Sequence, residues 1–213
     1  MNPHGNQRVL RAGAPLDSAE AAMIMVHGRG AGPEDILSLG REINRPRLAL
    51  LAPAAAGGSW YPFGFMSPRE RNEPFLSSAL GVIDGLVTDL LGRGIPARKI
   101  LLLGFSQGAC LSSEFTIRHP RRYGGLLALS GGLIGPPETS WDDVTTSLDG
   151  TPVFLGCSDV DGHIPKERVI ESEAVFARLG ARVKRTLYPG MGHAVNEDEL
   201  AEVRAVVDEV LTS

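Results

Sequence analysis

The sequence predicts a mostly parallel α/β fold, in which helices cover both faces of one central sheet. Short apolar runs alternate with amphipathic stretches along all 213 residues. The runs are continuous and end at Gly, Pro, His or Ser, as in parallel strands that are buried on both faces. Glycine supplies 26 residues, about 12% against about 7% in ordinary proteins, which indicates many tight turns. No linker or repeat divides the chain, so we expect a single domain over residues 1–213.

Each element is predicted from its own pattern. The predicted strands are residues 21–26, 47–51, 100–103, 125–129, 153–155 and 182–188, with a weaker edge strand near Val9. The predicted helices are residues 33–44, 74–91, 108–118, 166–179 and 197–211. In helix 74–91, apolar side chains recur at a spacing of 3.6 residues on one face. Pro74 suits its first position, and Gly92 or Gly94 suits its end.

Two long irregular stretches, 52–73 and 131–150, interrupt this alternation. Their aromatic residues are Trp60, Tyr61, Phe63, Phe65 and Trp141. Long loops inside a compact domain are more often functional than idle. Neither stretch is long enough to form a separate cap domain, so we expect an open site.

Composition and charge exclude several classes of protein. The formal net charge is −4, and no basic stripe is present, so neither nucleic acid nor an anionic membrane is expected as the main partner. The apolar runs are shorter than the ~20 residues that cross a bilayer, and the first residues do not read as a secretory signal. We therefore expect a cytoplasmic protein. Two cysteines, Cys110 and Cys157, do not make a disulfide framework, and we expect no metal or cofactor.

The segment Gly104–Gly108, GFSQG, follows a predicted strand and opens a predicted helix. This is the context of a nucleophile elbow, in which Ser106 sits on a sharp strand-to-helix turn. Both glycines are needed because a Cβ there would collide with the neighbouring strand and helix. Amide groups at the helix N-terminus favour negative charge that develops at the serine. The alternative is a glycine-rich turn in which Ser106 only caps the helix.

A serine nucleophile needs a histidine base held by an acid, in the chain order Ser, Asp or Glu, His. His193 is the histidine that follows the last predicted strand, and Gly190 and Gly192 let its loop turn tightly. Of the other histidines, His119 is interpreted as a helix C-cap and His4 as part of a loose terminus. His163 is expected at the surface.

The acid must come from the loop after strand 153–155, which contains Asp159 and Asp161. Both side chains are short enough to hold an imidazole Nδ1–H, and the spacing does not choose between them. The alternative is a turn that aspartate side chains stabilise without catalysis.

The segment His27-Gly28-Arg29-Gly30 follows the strand at 21–26, where hydrolases of this type place the second oxyanion donor. The backbone amides of Arg29 and Gln107 are therefore the candidate donors. A dinucleotide-binding loop is disfavoured, because Pro33 occupies the position of the third glycine.

Trp60, Tyr61, Phe63 and Phe65 are candidates for the wall of the acyl or alcohol pocket. The competing interpretation is a satellite hydrophobic cluster that fixes a long loop. Cys110 lies one helical turn beyond Ser106 and is interpreted as a buried small apolar group.

Five motifs occur together in one order along residues 23–200. They are HGRG after the first core strand, GFSQG with the following Ala109, RHP at 118–120, LSGG at 129–132 and YPGMGH at 188–193. With these motifs the sequence resembles the phospholipase/carboxylesterase family of small α/β-hydrolases, relatives of the acyl-protein thioesterases.

The resemblance implies an α/β-hydrolase fold and a role for each motif residue. The family acid lies in an Asp-x-x-Val/Ile-Pro pattern, here Asp161 to Pro165, so the resemblance favours Asp161 over Asp159. It implies that Ser106 is the nucleophile, His193 the general base and acid, and Arg29 and Gln107 the oxyanion donors.

The expected activity is hydrolysis of short- to medium-chain carboxylic esters, with a small-molecule ester as partner. An acyl thioesterase or lysophospholipase-type hydrolase is the alternative, and a non-catalytic binding module on this fold is a remote one. The segment SWYPFGF departs from the thioesterase branch. A homodimer is expected from the resemblance alone.

Overall fold

The computed structural model describes residues 2–213 and contains one seven-stranded sheet. The strands are β1 (Val9–Gly13), β2 (Ala21–Val26), β3 (Leu48–Pro53), β4 (Ile100–Phe105), β5 (Gly125–Leu129), β6 (Pro152–Ser158) and β7 (Arg182–Tyr188). Their spatial order is β1-β3-β2-β4-β5-β6-β7. β1 pairs antiparallel with β3, and the other pairs are parallel. The predicted mostly parallel sheet is confirmed.

Five helices cover the two faces of the sheet. They are α1 (Pro33–Ile43), α2 (Phe75–Gly92), α3 (Gln107–Arg118), α4 (Lys166–Arg178) and α5 (Glu197–Thr212). α1 and α5 pack on the face that Met23 and Leu101 line, and α2, α3 and α4 pack on the opposite face with Ile24 and Leu102. Successive strand residues point to opposite faces, so a continuous apolar run serves both layers. That explains why β2 is buried at every position.

The weakest predicted strand, near Val9, is present as β1 and lies antiparallel at one edge of the sheet. β6 is longer than the predicted 153–155 because Gly156, Cys157 and Ser158 continue the pairing with β7. Those three residues are buried in the sheet although they do not read as an apolar run.

α2 is the one helix among residues 2–213 that is long and apolar enough to cross a membrane by length and composition alone, with a mean hydropathy of 1.4. This departs from the expectation that every apolar run is too short. Leu76, Ile83 and Val87 of this helix are buried in the core. The core helix of a globular protein passes the same test, so α2 is accounted for by its packing.

The N-terminal segment is held against the long loop at 52–73, so the expectation of a loose terminus at His4 is wrong. The His4 ring is 1% exposed. Its Nε2 donates to the Trp60 carbonyl at 2.9 Å, and its Nδ1 accepts from the Ala56 amide at 3.0 Å. Its own amide donates to Ser78 Oγ at 2.9 Å. Burial lowers the pKa of His4, which favours this neutral tautomer.

The parallel register brings the functional loops to one edge of the sheet. Val26 pairs with Gly104, and Ser158 pairs with Tyr188, while β5 joins β4 to β6 in parallel, so the carboxyl ends of β2, β4, β6 and β7 lie along one edge. Ligand sites of open α/β sheets lie at this edge. Within residues 2–213, these strands are followed at this edge by loops, short 3-10 turns or the start of a helix, and none of these segments builds a separate cap.

Candidate active site

Ser106 occupies the sharp turn between β4 and α3. Its φ and ψ are 55° and −120°, a strained conformation for a residue with a side chain. The turn is tight on both sides: a Cβ on Gly104 would lie 2.3 Å from the Gly108 carbonyl oxygen, and one on Gly108 would lie 2.0 Å from the Val26 carbonyl oxygen. The glycines of GFSQG are therefore required by close backbone packing.

His193 contacts Ser106 across the site. Its Nε2 lies 2.9 Å from Ser106 Oγ, and its Nδ1 lies 2.7 Å from Asp161 Oδ2. A carboxylate only accepts hydrogen bonds, so Nδ1 carries the proton and Nε2 accepts from the serine hydroxyl. The three predicted side chains thus form one continuous chain of hydrogen bonds.

The Asp161 side chain is fully buried and makes four polar contacts. Its Oδ1 accepts from the amides of His163 and Ile164 at 2.8 and 3.1 Å. Its Oδ2 accepts from His193 and also lies 3.8 Å from the Cys157 thiol. Burial acts to raise the pKa of the Asp161 carboxyl, but the hydrogen bonds from His193 and the two amides outweigh it and hold the pKa below its usual value. The acid is therefore an anion facing the imidazole.

Asp159, the other candidate, lies away from the imidazole. Its Oδ1 accepts from the Gly190 amide at 2.8 Å, and Ser158 Oγ accepts from the Gly192 amide at 3.0 Å. Gly190 and Gly192 have φ of 66° and 76°, the left-handed region that favours glycine. Asp159 thus supports the loop that carries His193, and Asp161 contacts the ring itself.

The HGRG segment lies beside Ser106, since a Cβ on Gly28 would be 3.4 Å from Ser106 Cβ. Arg29 and Gln107 both line the cavity at Ser106. Within residues 2–213, neither of their backbone amides donates to a protein acceptor. Two free amides beside a serine hydroxyl can receive a developing oxyanion.

Two side chains, His27 and Gln107, hold this region through contacts that the sequence does not reveal. His27, 1% exposed, donates from Nδ1 to the Gly28 carbonyl and accepts at Nε2 from the Ala55 amide. Burial lowers the pKa of His27 and keeps it neutral. The Gln107 side chain accepts from the Trp60 amide at 2.9 Å and donates to the Tyr61 carbonyl at 2.8 Å. The loop that bears Trp60 and Tyr61 is therefore tied to the first residue of α3.

The cavity has a volume of about 310 Å³. It is lined by Arg29, Tyr61, Gly64, Phe65, Ser106, Gln107, Cys110, His163, Ile164 and His193. Cys110 is fully buried in its wall, and burial raises the pKa of this thiol to about 12, so it is a neutral group and not a competing nucleophile. Among residues 2–213, no group of His, Cys, Asp and Glu is arranged to hold a metal ion.

The predicted aromatic wall is corrected for two of its four residues. Tyr61 and Phe65 line the cavity, but Trp60 and Phe63 do not. Trp60 is fully buried in the core, where its indole N–H donates to the His27 carbonyl at 2.9 Å. Phe63 is 41% exposed and lies under the Arg71 guanidinium, 4.2 Å from the ring centroid. These two residues fix the loop, which was the competing interpretation.

The remaining histidines occupy the positions expected of them. His163 is exposed, although its ring packs edge-on against His193 at a centroid distance of 4.7 Å. His119 is the C-cap residue of α3 and stacks on Phe115.

The second long loop, 131–150, is held by Arg168, which donates to the carbonyls of Leu133 and Gly135. This loop contributes no residue to the cavity lining.

Comparison with known proteins agrees with this geometry. The family model described as Phospholipase/Carboxylesterase matches residues 9–211. A crystal structure of a phospholipase/carboxylesterase from Dyadobacter fermentans has a TM-score of 0.90 and 39% identity, covering 95% of this chain and 96% of that one. Acyl-protein thioesterase 1 of Debaryomyces hansenii is 28% identical over 225 residues, 95% of this chain and 96% of the relative.

The crystal structure of esterase PE8 shares the fold, with a TM-score of 0.77 at 23% identity over 96% of this chain and 99% of that one. The resemblance drawn from the sequence motifs is confirmed. By its fold and by the match of nearly its whole length, the chain belongs to the phospholipase/carboxylesterase family of α/β-hydrolases.

Proposed function

We propose that this protein is a serine carboxylesterase that hydrolyses short- to medium-chain esters through an acyl-serine intermediate. The observation that carries the proposal is the hydrogen-bond chain from Asp161 through His193 to Ser106, at the floor of an open cavity. Family membership supports ester hydrolysis in general. The choice of small oxygen esters rests on the size of the cavity and on the lack of a cap over it.

In the first step, Ser106 Oγ attacks the carbonyl carbon of the ester while His193 Nε2 takes the hydroxyl proton. Negative charge develops on the former carbonyl oxygen and is received by the amides of Arg29 and Gln107. The ionised Asp161 stabilises the imidazolium that forms and keeps its ring oriented. Each group acts from the position it already holds, so little reorganisation is needed.

The tetrahedral intermediate then collapses. The bond to the alcohol oxygen breaks, and Nε2–H of His193 gives its proton to the leaving alcohol. The acyl group stays on Ser106. Water, deprotonated by the same imidazole, attacks the acyl-enzyme and releases the carboxylic acid and the free serine.

The cavity favours small substrates over long lipids. Its volume of about 310 Å³ lies at the lower end of the range for small-molecule sites. Phe65 and Ile164 give it apolar walls that suit a short acyl chain. These features support a small-molecule ester as partner.

The test compares Ser106→Ala with Ser38→Ala, which changes an exposed serine of α1. We expect the first variant to stay folded and to lose both turnover of p-nitrophenyl butyrate and labelling by a fluorophosphonate probe. The second variant should keep both. Undiminished turnover by Ser106→Ala would end the proposal, and wild-type protein that neither turns over esters nor takes the label would instead be a binding module.

An acyl thioesterase is the second candidate, because the curated relatives that match most of this chain bear the name acyl-protein thioesterase 1. The same Ser106 chemistry would cleave either bond. A matched pair, ethyl butyrate and its thioester S-ethyl thiobutyrate, separates the two activities. A higher kcat/KM on the oxygen ester supports the carboxylesterase, and a clear preference for the thioester would replace it with the second candidate.

A further inference from the structure

The cavity at Ser106 contains a guanidinium, that of Arg29, with which no Asp or Glu of residues 2–213 forms an ion pair. Arg29 lines the cavity, and no Asp or Glu is among the lining residues that the described chain supplies. Its guanidinium donates to the carbonyls of Pro62 and Phe63 at 2.8 and 2.7 Å. Both acceptors are neutral, and within residues 2–213 the guanidinium forms no ion pair. Of the five N–H donors of an arginine, three remain for another acceptor.

A buried hydroxyl with only a weak acceptor beside it lies in the same wall. Tyr61 lines the cavity and is 1% exposed, and its phenolic oxygen has the Cys110 thiol as a neighbour but no oxygen or nitrogen partner among the described residues. A buried donor without a strong acceptor costs free energy, which a ligand that supplies the acceptor would recover. Burial raises the pKa of the Tyr61 phenol well above its usual value, so the group stays protonated.

The carboxylate that could otherwise serve these two donors is already engaged. Glu114 is fully buried behind the wall, where it pairs with Arg69 at 3.2 Å and with Arg118 at 2.7 Å. It also accepts from the Ile134 amide. Arg29 and Tyr61 therefore line the cavity without a carboxylate partner.

The position of the two donors assigns them to one end of the substrate. Tyr61, Gly64 and Phe65 belong to one loop, and Arg29 is bound to that loop through Pro62 and Phe63. His193 and His163 lie together, and no hydrogen bond joins either of them to that loop. Because His193 must give its proton to the leaving oxygen, the alcohol lies towards these two histidines. The acyl portion then extends towards Arg29 and Tyr61.

We propose that the preferred substrates are esters whose acyl portion carries a carboxylate, such as monoesters of short dicarboxylic acids, and that Arg29 and the Tyr61 hydroxyl bind this carboxylate. The proposal rests on the esterase function proposed above and adds the chemical class of the acyl group. An arginine fork fits a carboxylate in a bidentate arrangement, and the phenol adds a third donor. Phe65 and the Tyr61 ring contact the methylene groups between the two carboxyl carbons.

The experiment uses three esters of matched length: monoethyl glutarate, its neutral amide analogue ethyl glutaramate, and ethyl pentanoate. Acid release is followed by pH-stat on the wild-type protein, Arg29→Lys, Arg29→Gln and Tyr61→Phe. We expect the wild type to show at least a tenfold higher kcat/KM for monoethyl glutarate than for ethyl pentanoate, with the amide in between. The ratio should fall to about one or below in Arg29→Gln, keep only part of its value in Arg29→Lys, which retains the charge without the fork, and fall a few-fold in Tyr61→Phe.

Ratios of two substrates on one variant cancel any general loss that follows from disturbing the loop at Pro62 and Phe63. Equal or lower kcat/KM for monoethyl glutarate in the wild type would overturn the inference, as would a preference that Arg29→Gln leaves unchanged. A stronger preference for a carboxylate on the alcohol side, tested with the butyrate ester of glycolic acid, would also overturn it. Loss of the esterase function is distinguished by absence of hydrolysis of all four esters and of fluorophosphonate labelling.

Discussion

Asp159 accepts a hydrogen bond from the Gly190 amide at 2.8 Å, so the two aspartates of one loop hold different parts of the same histidine segment. Asp161, two residues further on, reaches the imidazole of His193 itself at 2.7 Å. The first contact is to the backbone of the loop, and the second is to the ring that exchanges protons. A substitution of Asp161 should therefore affect mainly kcat, and one of Asp159 should affect mainly the stability of the loop.

Asparagine substitutions test this division of roles. Asp161→Asn places an amide opposite Nδ1 and favours the wrong tautomer of His193, so we expect kcat to fall by about 10³–10⁴-fold. Asp159→Asn keeps an oxygen that can accept from Gly190 and should lower kcat by less than about tenfold, with a small loss of stability. Steady-state kinetics on one ester measures both, and a larger kcat effect at 159 than at 161 would contradict the assignment.

Two glycine-to-alanine substitutions test the packing of the nucleophile turn. Gly108→Ala brings a Cβ within 2.0 Å of the Val26 carbonyl oxygen, so we expect a loss of several kcal/mol or failure to fold. Gly85→Ala on α2 is the matched control, since its Cβ would meet nothing within 4 Å. That variant should gain about 0.5–1 kcal/mol from helix propensity. Urea unfolding measures both, and a stable Gly108→Ala protein would show that the turn can open.

The central strands could be predicted because they are buried on both faces. A strand such as β2 must be apolar at every position, and that leaves a continuous run in the sequence. Motif residues at strand ends could be placed for a related reason: parallel strands end at one edge, so His193 and Ser106, 87 residues apart, were expected to meet. Residues that are far apart in the sequence therefore lie close together when each one follows a parallel strand of the same sheet.

The contacts made by polar side chains far apart in sequence could not be predicted. His4 binds Trp60 across 56 residues and Gln107 binds Tyr61 across 46, and no periodicity or local motif marks such pairs. The spacing of Asp159 and Asp161 had the same difficulty, because both lie in one short loop. The family resemblance favoured Asp161, and the fold shows that Asp161 reaches the ring. Trp60 and Phe63 were misplaced because aromatic content does not tell which way a side chain points.

Glu199 gives the fold a pH dependence that can be isolated. Its side chain is fully buried, and its Oε1 has no hydrogen-bond partner among residues 2–213. Burial raises the pKa of Glu199 from 4.5 to about 7; the Asn196 amide acts to lower this pKa, and Asp198 adds to the rise. Between these pH values the folded protein keeps a proton that the unfolded chain has released, so the free energy of unfolding falls as pH rises from about 4.5 to 7.

We expect protonation of Glu199 to contribute of the order of 1–3 kcal/mol to the free energy of unfolding. His4 and His27, whose pKa values burial lowers, act in the opposite direction below pH 6.5. The measurement is therefore a difference: urea unfolding of wild type and Glu199→Gln at pH 5 and pH 8. The variant should gain stability relative to the wild type at pH 8, and a difference that does not change between the two pH values would contradict the buried, protonated carboxyl.

Gln107 joins the nucleophile helix to the cavity loop through its side chain, apart from any role of its backbone amide. Gln107→Ala leaves the Trp60 amide and the Tyr61 carbonyl without this partner in a buried region. Each orphaned group costs about 1–3 kcal/mol, so we expect a clear drop in the free energy of unfolding and in Tm. kcat/KM should fall as well, because Tyr61 and Phe65 lose their fixed position in the cavity wall.

The control is Gln7→Ala, which truncates an exposed glutamine. Its free energy of unfolding should stay within about 0.5 kcal/mol of the wild-type value. Equal stability of the two variants in urea unfolding would show that the loop is held without Gln107.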